Sequence, residues 1–213
     1  MLDKETSRRY KIAFGLAVFT IIYNIFEGLI ATYIGFSDDS LTLFGFGVDS
    51  FIETISGFGI LHMVTRIQKN PDSTRDSYER TALRITGFSF YALVIGLVAT
   101  SVYNFATGQQ PHTTFWGVII AVISIAIMSI LVYYKIKVGK NLNSEAIIAD
   151  AECTKVCVYM SVVLLVASGL YHYTKLPYVD SIGALVLAYL SFKEGRECFE
   201  KAASDKYCGC EHD

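Results

Sequence analysis

Six separate apolar stretches, a one-sided distribution of basic residues and a low charge content predict an all-α, polytopic membrane protein. The expected fold has six transmembrane helices with both termini in the cytoplasm. The chain has 213 residues, of which 53% are apolar and 18% charged. A soluble domain carries roughly a quarter charged residues. The charges here sit in short segments with long apolar runs between them, which is the pattern expected when lipid is the solvent.

A helix needs about 20 mostly apolar residues to cross the ~30 Å hydrocarbon core. Six stretches meet that length, at about 11–34, 41–64, 85–106, 114–134, 144–171 and 178–198. The first begins after the charged start MLDKETSRRYK. It exceeds the roughly 7–15 residues of a signal-peptide core, and no small-x-small cleavage site ends it, so it reads as a retained helix. The second follows SDDS at 37–40, the fourth follows TGQQPH at 107–112, and the sixth follows TKLP at 174–177. The fifth is the least apolar, because Asp150, Glu152 and Lys155 interrupt it. The chain thus divides into a cytoplasmic N-terminus (1–10), a six-helix unit (11–200) and a short Cys-containing cytoplasmic tail (201–213).

Basic residues test that count. With both ends inside, Lys4, Arg8, Arg9 and Lys11 are cytoplasmic. So are Arg66, Lys69, Arg75, Arg80 and Arg84, then Lys135, Lys137 and Lys140, then Lys193, Arg196, Lys201 and Lys206. Of the 18 Lys and Arg residues, 16 fall on one side, as the positive-inside rule requires. A wrong helix count would scramble the asymmetry. The localisation that follows is multi-pass in a membrane, the plasma (inner) membrane if the source is bacterial, with lipid as the surrounding partner. The net charge of −2 offers no basic patch for nucleic acid. No Ser-His-Asp pattern and no H-E-x-x-H motif points to a hydrolase, so no enzymatic activity is expected.

An ionised group at the bilayer centre costs on the order of 3 kcal/mol or more and needs a reason. The second stretch, SLTLFGFGVDSFIETISG, places Asp49 and Glu53 four apart, on one helical face. A protonated carboxyl pair bridging helices would account for them, but two acids on one stripe repel unless a cation lies between them. In the fifth stretch Cys153 and Cys157 are also four apart. They could be small packing residues. A disulfide between them is disfavoured, because i and i+4 side chains on a helix do not readily reach its geometry.

The second and fifth helices run in opposite directions. Counting ~1.5 Å per residue places Asp49 near the level of Cys157 and Glu53 near that of Cys153. If the helices are neighbours, two carboxylates and two thiolates converge near the midplane. That set suits a tetrahedral divalent ion such as zinc, or a softer one, and suits magnesium or calcium poorly.

The five cysteines do not form the loop-borne pattern of a secreted disulfide framework. Cys208, Cys210 and His212, in the terminal YCGCEHD, are secondary candidate ligands for capturing or delivering metal. Lys155 lies about 200° around the helix from Cys153. It is placed to pair with Asp150 or Glu152, or to snorkel. His62 reads as an interfacial residue at the inner end of the second helix, and His112 and His172 have no evident partner.

These motifs resemble the membrane domain of the cation diffusion facilitator family. The stretch from Ser40 to Glu53 is similar to that family's Ser-x-x-(small/apolar)…Asp-x-x-x-Asp helix. Asp49 stands at the first acid and Glu53 at the second. AIIADAECTKVC is similar to the Ala-x-x-Ala-Asp-(Ala/Ser)-x-His-x-x-x-Asp pattern, with Cys153 at the His position and Cys157 at the last Asp. Asp180 is similar to the acid that opens the family's sixth helix, and Asn24 and Glu27 fit its usual polar positions. The resemblance covers roughly residues 10–200. It implies a homodimeric exporter that exchanges a divalent metal for protons, holds the metal as substrate and carries no prosthetic group. The Cys pair departs from the family's His/Asp pair and shifts the expected ion toward zinc or something softer. About a dozen residues follow the sixth helix, with no counterpart of the family's cytoplasmic metal-binding domain, so dimer contacts would fall to the membrane helices. The alternative is a membrane metal sensor that binds without translocating.

Overall fold

The computed structural model describes residues 4–70, 77–107, 115–176 and 178–204. It contains six α-helices and, among the described residues, no strand. They are α1 (Lys4–Ser37), α2 (Leu41–Lys69), α3 (Ser77–Thr107), α4 (Phe115–Asn141), α5 (Glu145–Thr174) and α6 (Tyr178–Ala203). Each is longer than its apolar stretch, because the charged flanks continue the helix beyond the hydrocarbon. Lys201 therefore belongs to the last turns of α6 and not to a free tail. Helices satisfy every interior backbone group within one segment, which lipid demands. Five of the six are long and apolar enough to cross a membrane. The exception, α6, carries Asp180, Lys193 and Glu194 within its first 18 residues, and Asp180 and Glu194 are buried.

Contacts between helix ends fix the topology. Arg9 at the start of α1 donates to the Asn141 carbonyl at the end of α4 (2.9 Å), and Arg80 near the start of α3 donates to the Ala202 carbonyl at the end of α6 (2.8 Å). Tyr10, Met63, Val138 and Ile147 share one apolar cluster, so α2 ends and α5 begins at this same pole. The basic segments are therefore gathered at one end, as the charge asymmetry predicts.

Polarity is inside out. Phe26, Phe36, Ile95 and Val102 are each more than 60% exposed, while Asn24, Glu27, Asp49, Lys135, Asp150 and Asp180 are buried. Three short connections turn through left-handed residues, Asp39, Asn143 and Lys175. Small residues let neighbouring backbones touch, as membrane helix pairs require. At Gly35 and Gly47, α2 and α1 approach so closely that a Cβ would collide with the backbone of Phe44 and Thr32 respectively. Tyr91 of α3 stacks on Phe192 and Phe199 of α6, and Ser161 of α5 donates to Ser124 of α4 (2.9 Å).

Two polar clamps hold this bundle. At the outer pole, the Asp180 carboxylate accepts from Ser40 Oγ (2.8 Å), the Leu41 amide (2.7 Å) and the Thr42 amide (3.3 Å), and Thr42 Oγ1 donates to the Asp180 carbonyl (2.7 Å). A residue of α6 thus caps the first turn of α2, where free amides and the helix dipole favour an anion. Toward the inner pole, Lys135 Nζ donates to Asp150 Oδ1 (2.9 Å) and Thr154 Oγ1 (2.8 Å). Lys135, expected in an inner cytoplasmic segment, is instead 1% exposed. Asp150 draws its ammonium into the bundle. Lys155 pairs with Glu152 at 2.7 Å, one of the two partners expected for it.

Two outcomes follow. Asp180→Ala removes three accepted hydrogen bonds and lowers stability in detergent by about 1–3 kcal/mol, read as a lower thermal midpoint. Lys135→Met strands a buried carboxylate and costs about 3–5 kcal/mol, and adding Asp150→Asn recovers much of the loss. A double-mutant cycle on thermal unfolding checks the second.

Candidate metal-transport site

The four ligand candidates lie on α2 and α5, with α1 closing one side. Glu53 is the centre of the arrangement. The Cys157 thiol donates to Glu53 Oε1 at 2.6 Å, and Asn24 Nδ2 of α1 donates to Glu53 Oε2 at 3.1 Å. Glu53 thus joins three helices. Cys157 also lies in an apolar cluster with Met128 and Leu131 of α4, which shields the contact from water.

This pairing departs from the level-counting expectation by one helical turn. Glu53 meets Cys157, where the count placed Cys153. Loop lengths alone do not set the axial slide of α2 against α5. That slide is set by the α2–α6 clamp and by side-chain packing. Asp49 therefore lies about one turn (~6 Å) outward of the Glu53–Cys157 contact, and Cys153 about one turn inward. The candidates form a staggered line along the membrane normal. Among the described residues, no group of three or more His, Cys, Asp or Glu side chains is close enough to hold a metal ion together.

Each position on the line has its own surroundings. Asp49 is 2% exposed, and its Oδ1 accepts no hydrogen bond among the described residues. Buried carboxylate oxygens are nearly always satisfied, so this acceptor is notable for having capacity in reserve. Glu27 is buried nearby and fully engaged, accepting from Tyr23 (2.8 Å) and Ser50 (3.1 Å). Glu53, Cys153, Cys157, Asn24 and Asp150 share the lining of a cavity of about 40 Å³, room for little more than a single dehydrated ion or a water. Cys153 accepts from Lys201 Nζ of α6 at 3.7 Å. Cys208, Cys210 and His212 of the tail lie outside the described residues, as does His112.

Sequence reasoning missed two lysines. Lys135 and Lys201 lie at the basic pole, as the sequence predicts, but both are buried and each touches α5, which the sidedness of basic residues does not reveal. A signal was present. Lys135 and Asp150 stand equally far from the α4–α5 turn to within one residue, and Cys153 and Lys201 from the α5–α6 turn to within two. Residues so placed face each other in an antiparallel helical hairpin.

Comparison with known proteins agrees with this architecture. A family model described as the cation efflux transmembrane domain matches residues 16–205. The chain is 25% identical over 201 residues to the manganese efflux system protein MneP of Bacillus subtilis (strain 168), which covers 90% of this chain and 67% of the relative. It is 28% identical over 182 residues to a protein of Methanocaldococcus jannaschii named Uncharacterized transporter MJ0449, covering 83% of this chain and 63% of that one. The chain spans about two thirds of the length of these relatives. The match over nearly the whole bundle makes this chain a member of the cation efflux transmembrane family.

Proposed function

We propose that the protein exports a divalent transition-metal cation from the cytosol in exchange for protons, with Asp49, Glu53, Cys153 and Cys157 as ligands along its path. The contact between Glu53 Oε1 and Cys157 Sγ carries the reading. A thiol donates to a carboxylate of the facing membrane helix at 2.6 Å, where a metal ion would replace the thiol proton. Tetrahedral zinc, with Zn–S of ~2.3 Å and Zn–O of ~2.0 Å, holds sulfur and oxygen about 3.5 Å apart. Loading the ion therefore requires α2 and α5 to part by about 1 Å at this point, or the two side chains to turn. Asp49 and Cys153, one turn away on either side, enter the ligand set as the helices slide.

Proton exchange follows from the same chemistry. Metal binding expels the thiol proton, so affinity rises with pH. An acidic outer compartment returns that proton and releases the ion. The relative MneP is named for manganese efflux. Manganese prefers oxygen ligands, whereas two thiols on the path favour zinc or a softer ion. Homodimer assembly through the membrane helices belongs to the same proposal, as does metal capture by Cys208, Cys210 and His212.

The test is flux into proteoliposomes under a pH gradient, with zinc, cadmium and manganese in parallel. Wild type is expected to carry zinc and cadmium faster than manganese. Glu53→Gln and Cys157→Ser are expected to lower zinc flux by about two orders of magnitude while leaving expression intact. Unchanged flux in both variants would remove the proposed site. Tight binding with no flux for any ion would return the sensor reading.

A further inference from the structure

A second cavity, of about 220 Å³, lies between the inner halves of α5 and α6. Its charged lining is Glu152, Lys155, Lys193, Glu194, Glu197 and Lys201. Counting ~20 residues inward from Tyr178 places the inner hydrocarbon boundary near Cys198. The charged residues of α6 bracket that level. Ionisable side chains in membrane segments face water-filled space or one another, so this cavity is wet and lies at the cytoplasmic interface.

Its side chains grade from open to closed. Lys193 is 59% exposed, Glu152 42% and Lys155 36%, whereas Glu197 is 26% exposed, and Lys201 and Glu194 are both buried. Lys201 is thus at the blind end, held by Glu197 Oε2 (3.3 Å) and donating to Cys153 Sγ (3.7 Å). Cys153 lines this cavity and also the small one that contains Glu53 and Cys157. Among the described residues it is the one common to both linings.

We infer that this cavity is the cytoplasmic vestibule for the transported cation, that Cys153 relays the ion from it to the Glu53–Cys157 site, and that Lys201 is a tethered cation occupying Cys153 until a metal displaces it. The inference rests on the proposed transport function and deepens it. A free cation is drawn in chiefly by Glu194, which is buried and in no ion pair among the described residues, whereas Glu152 and Glu197 are already paired with Lys155, Lys193 and Lys201. On reaching Cys153 it takes the place of the thiol proton, which leaves through the vestibule, and the Lys201 ammonium withdraws onto Glu197, to which it is already bonded. Lys201 is a positioning residue. It sets how strongly a metal must bind to enter, so weakly thiophilic cations are turned back.

The experiment labels wild-type protein in sided proteoliposomes with a membrane-impermeant thiol reagent and reads Cys153 by peptide mass. Cys153 is expected to react from the basic face and not from the opposite face, and zinc is expected to protect it. Lys201→Met should lower the zinc concentration for half-protection by about tenfold, since a unit charge no longer competes, while Lys201→Arg keeps the wild-type value. Labelling from the opposite face only, or no labelling from either face, overturns the vestibule. An unchanged protection midpoint in Lys201→Met overturns the tethered-cation role. Zinc flux on the same vesicles reports on transport separately. Flux without basic-face labelling rejects the vestibule alone, and sided, Lys201-dependent protection without flux rejects transport alone.

Discussion

The clamp between Asp180 and the first turn of α2 is the constraint on which the site depends. Three donors from residues 40–42 converge on one carboxylate of α6. A helix N-terminus inside a membrane protein has amides that lipid cannot satisfy, and Asp180 satisfies two of them while Ser40 Oγ accepts from a third, at Leu43. This pins the outer end of α2 in depth. Because a helix is stiff along its axis, the depth of Asp49 and Glu53 is pinned with it. The glycine contacts at positions 35 and 47 then bring α1 against α2, which places Asn24 on Glu53.

Apart from Glu194 and Lys201 at the inner end of α6, the buried ionisable groups of the bundle and the two thiols facing them fall into two groups. Glu27, Lys135 and Asp180 each have two or more hydrogen-bond partners, Asp150 is held by the Lys135 ammonium, and all four act as joints between helices. Asp49, Cys153 and Cys157 are less fully engaged, and Glu53 joins them because one of its two partners is itself a candidate ligand, Cys157. Asp49 has a spare acceptor, and each thiol is held by a single side-chain partner. Saturated polar groups hold a fold in place, and unsaturated ones keep capacity for a passing ion. The same division separates the two linings that meet at Cys153, one tight and shielded by Met128 and Leu131, the other wide and charged.

The fold was legible because lipid leaves a strong imprint on sequence. Apolar length set the helix count, and the sidedness of Lys and Arg set the orientation. The four candidates were legible because an ionisable or thiol group in an apolar run stands out. What sequence could not provide was the slide of α2 against α5, which are not adjacent in the chain. Contacts within adjacent hairpins obey a simple mirror rule about the turn, as Asn24 with Glu53 and Glu27 with Ser50 both show. Glu53 with Cys157 and Thr42 with Asp180 obey no such rule, because packing of the whole bundle decides them. The burial of Lys135 was missed for a related reason. Proximity to a basic segment suggested solvent, and only the hairpin partner, Asp150, explains its burial.

The pairing of α3 with α6 has a consequence for how the chain is made. The helix pairs α1–α2 and α4–α5 are neighbours in sequence, so each can assemble as soon as its second member is inserted. The Tyr91, Phe192 and Phe199 stack instead joins α3 to a helix that lies beyond α4 and α5. During synthesis α3 must wait in the lipid without its principal partner, and α2 waits uncapped for Asp180. Both vacancies are filled by the same late event, the arrival of α6. The sixth helix therefore completes the outer clamp and the α3 interface together. A chain halted before it holds its ligand residues but has nothing to fix their depth.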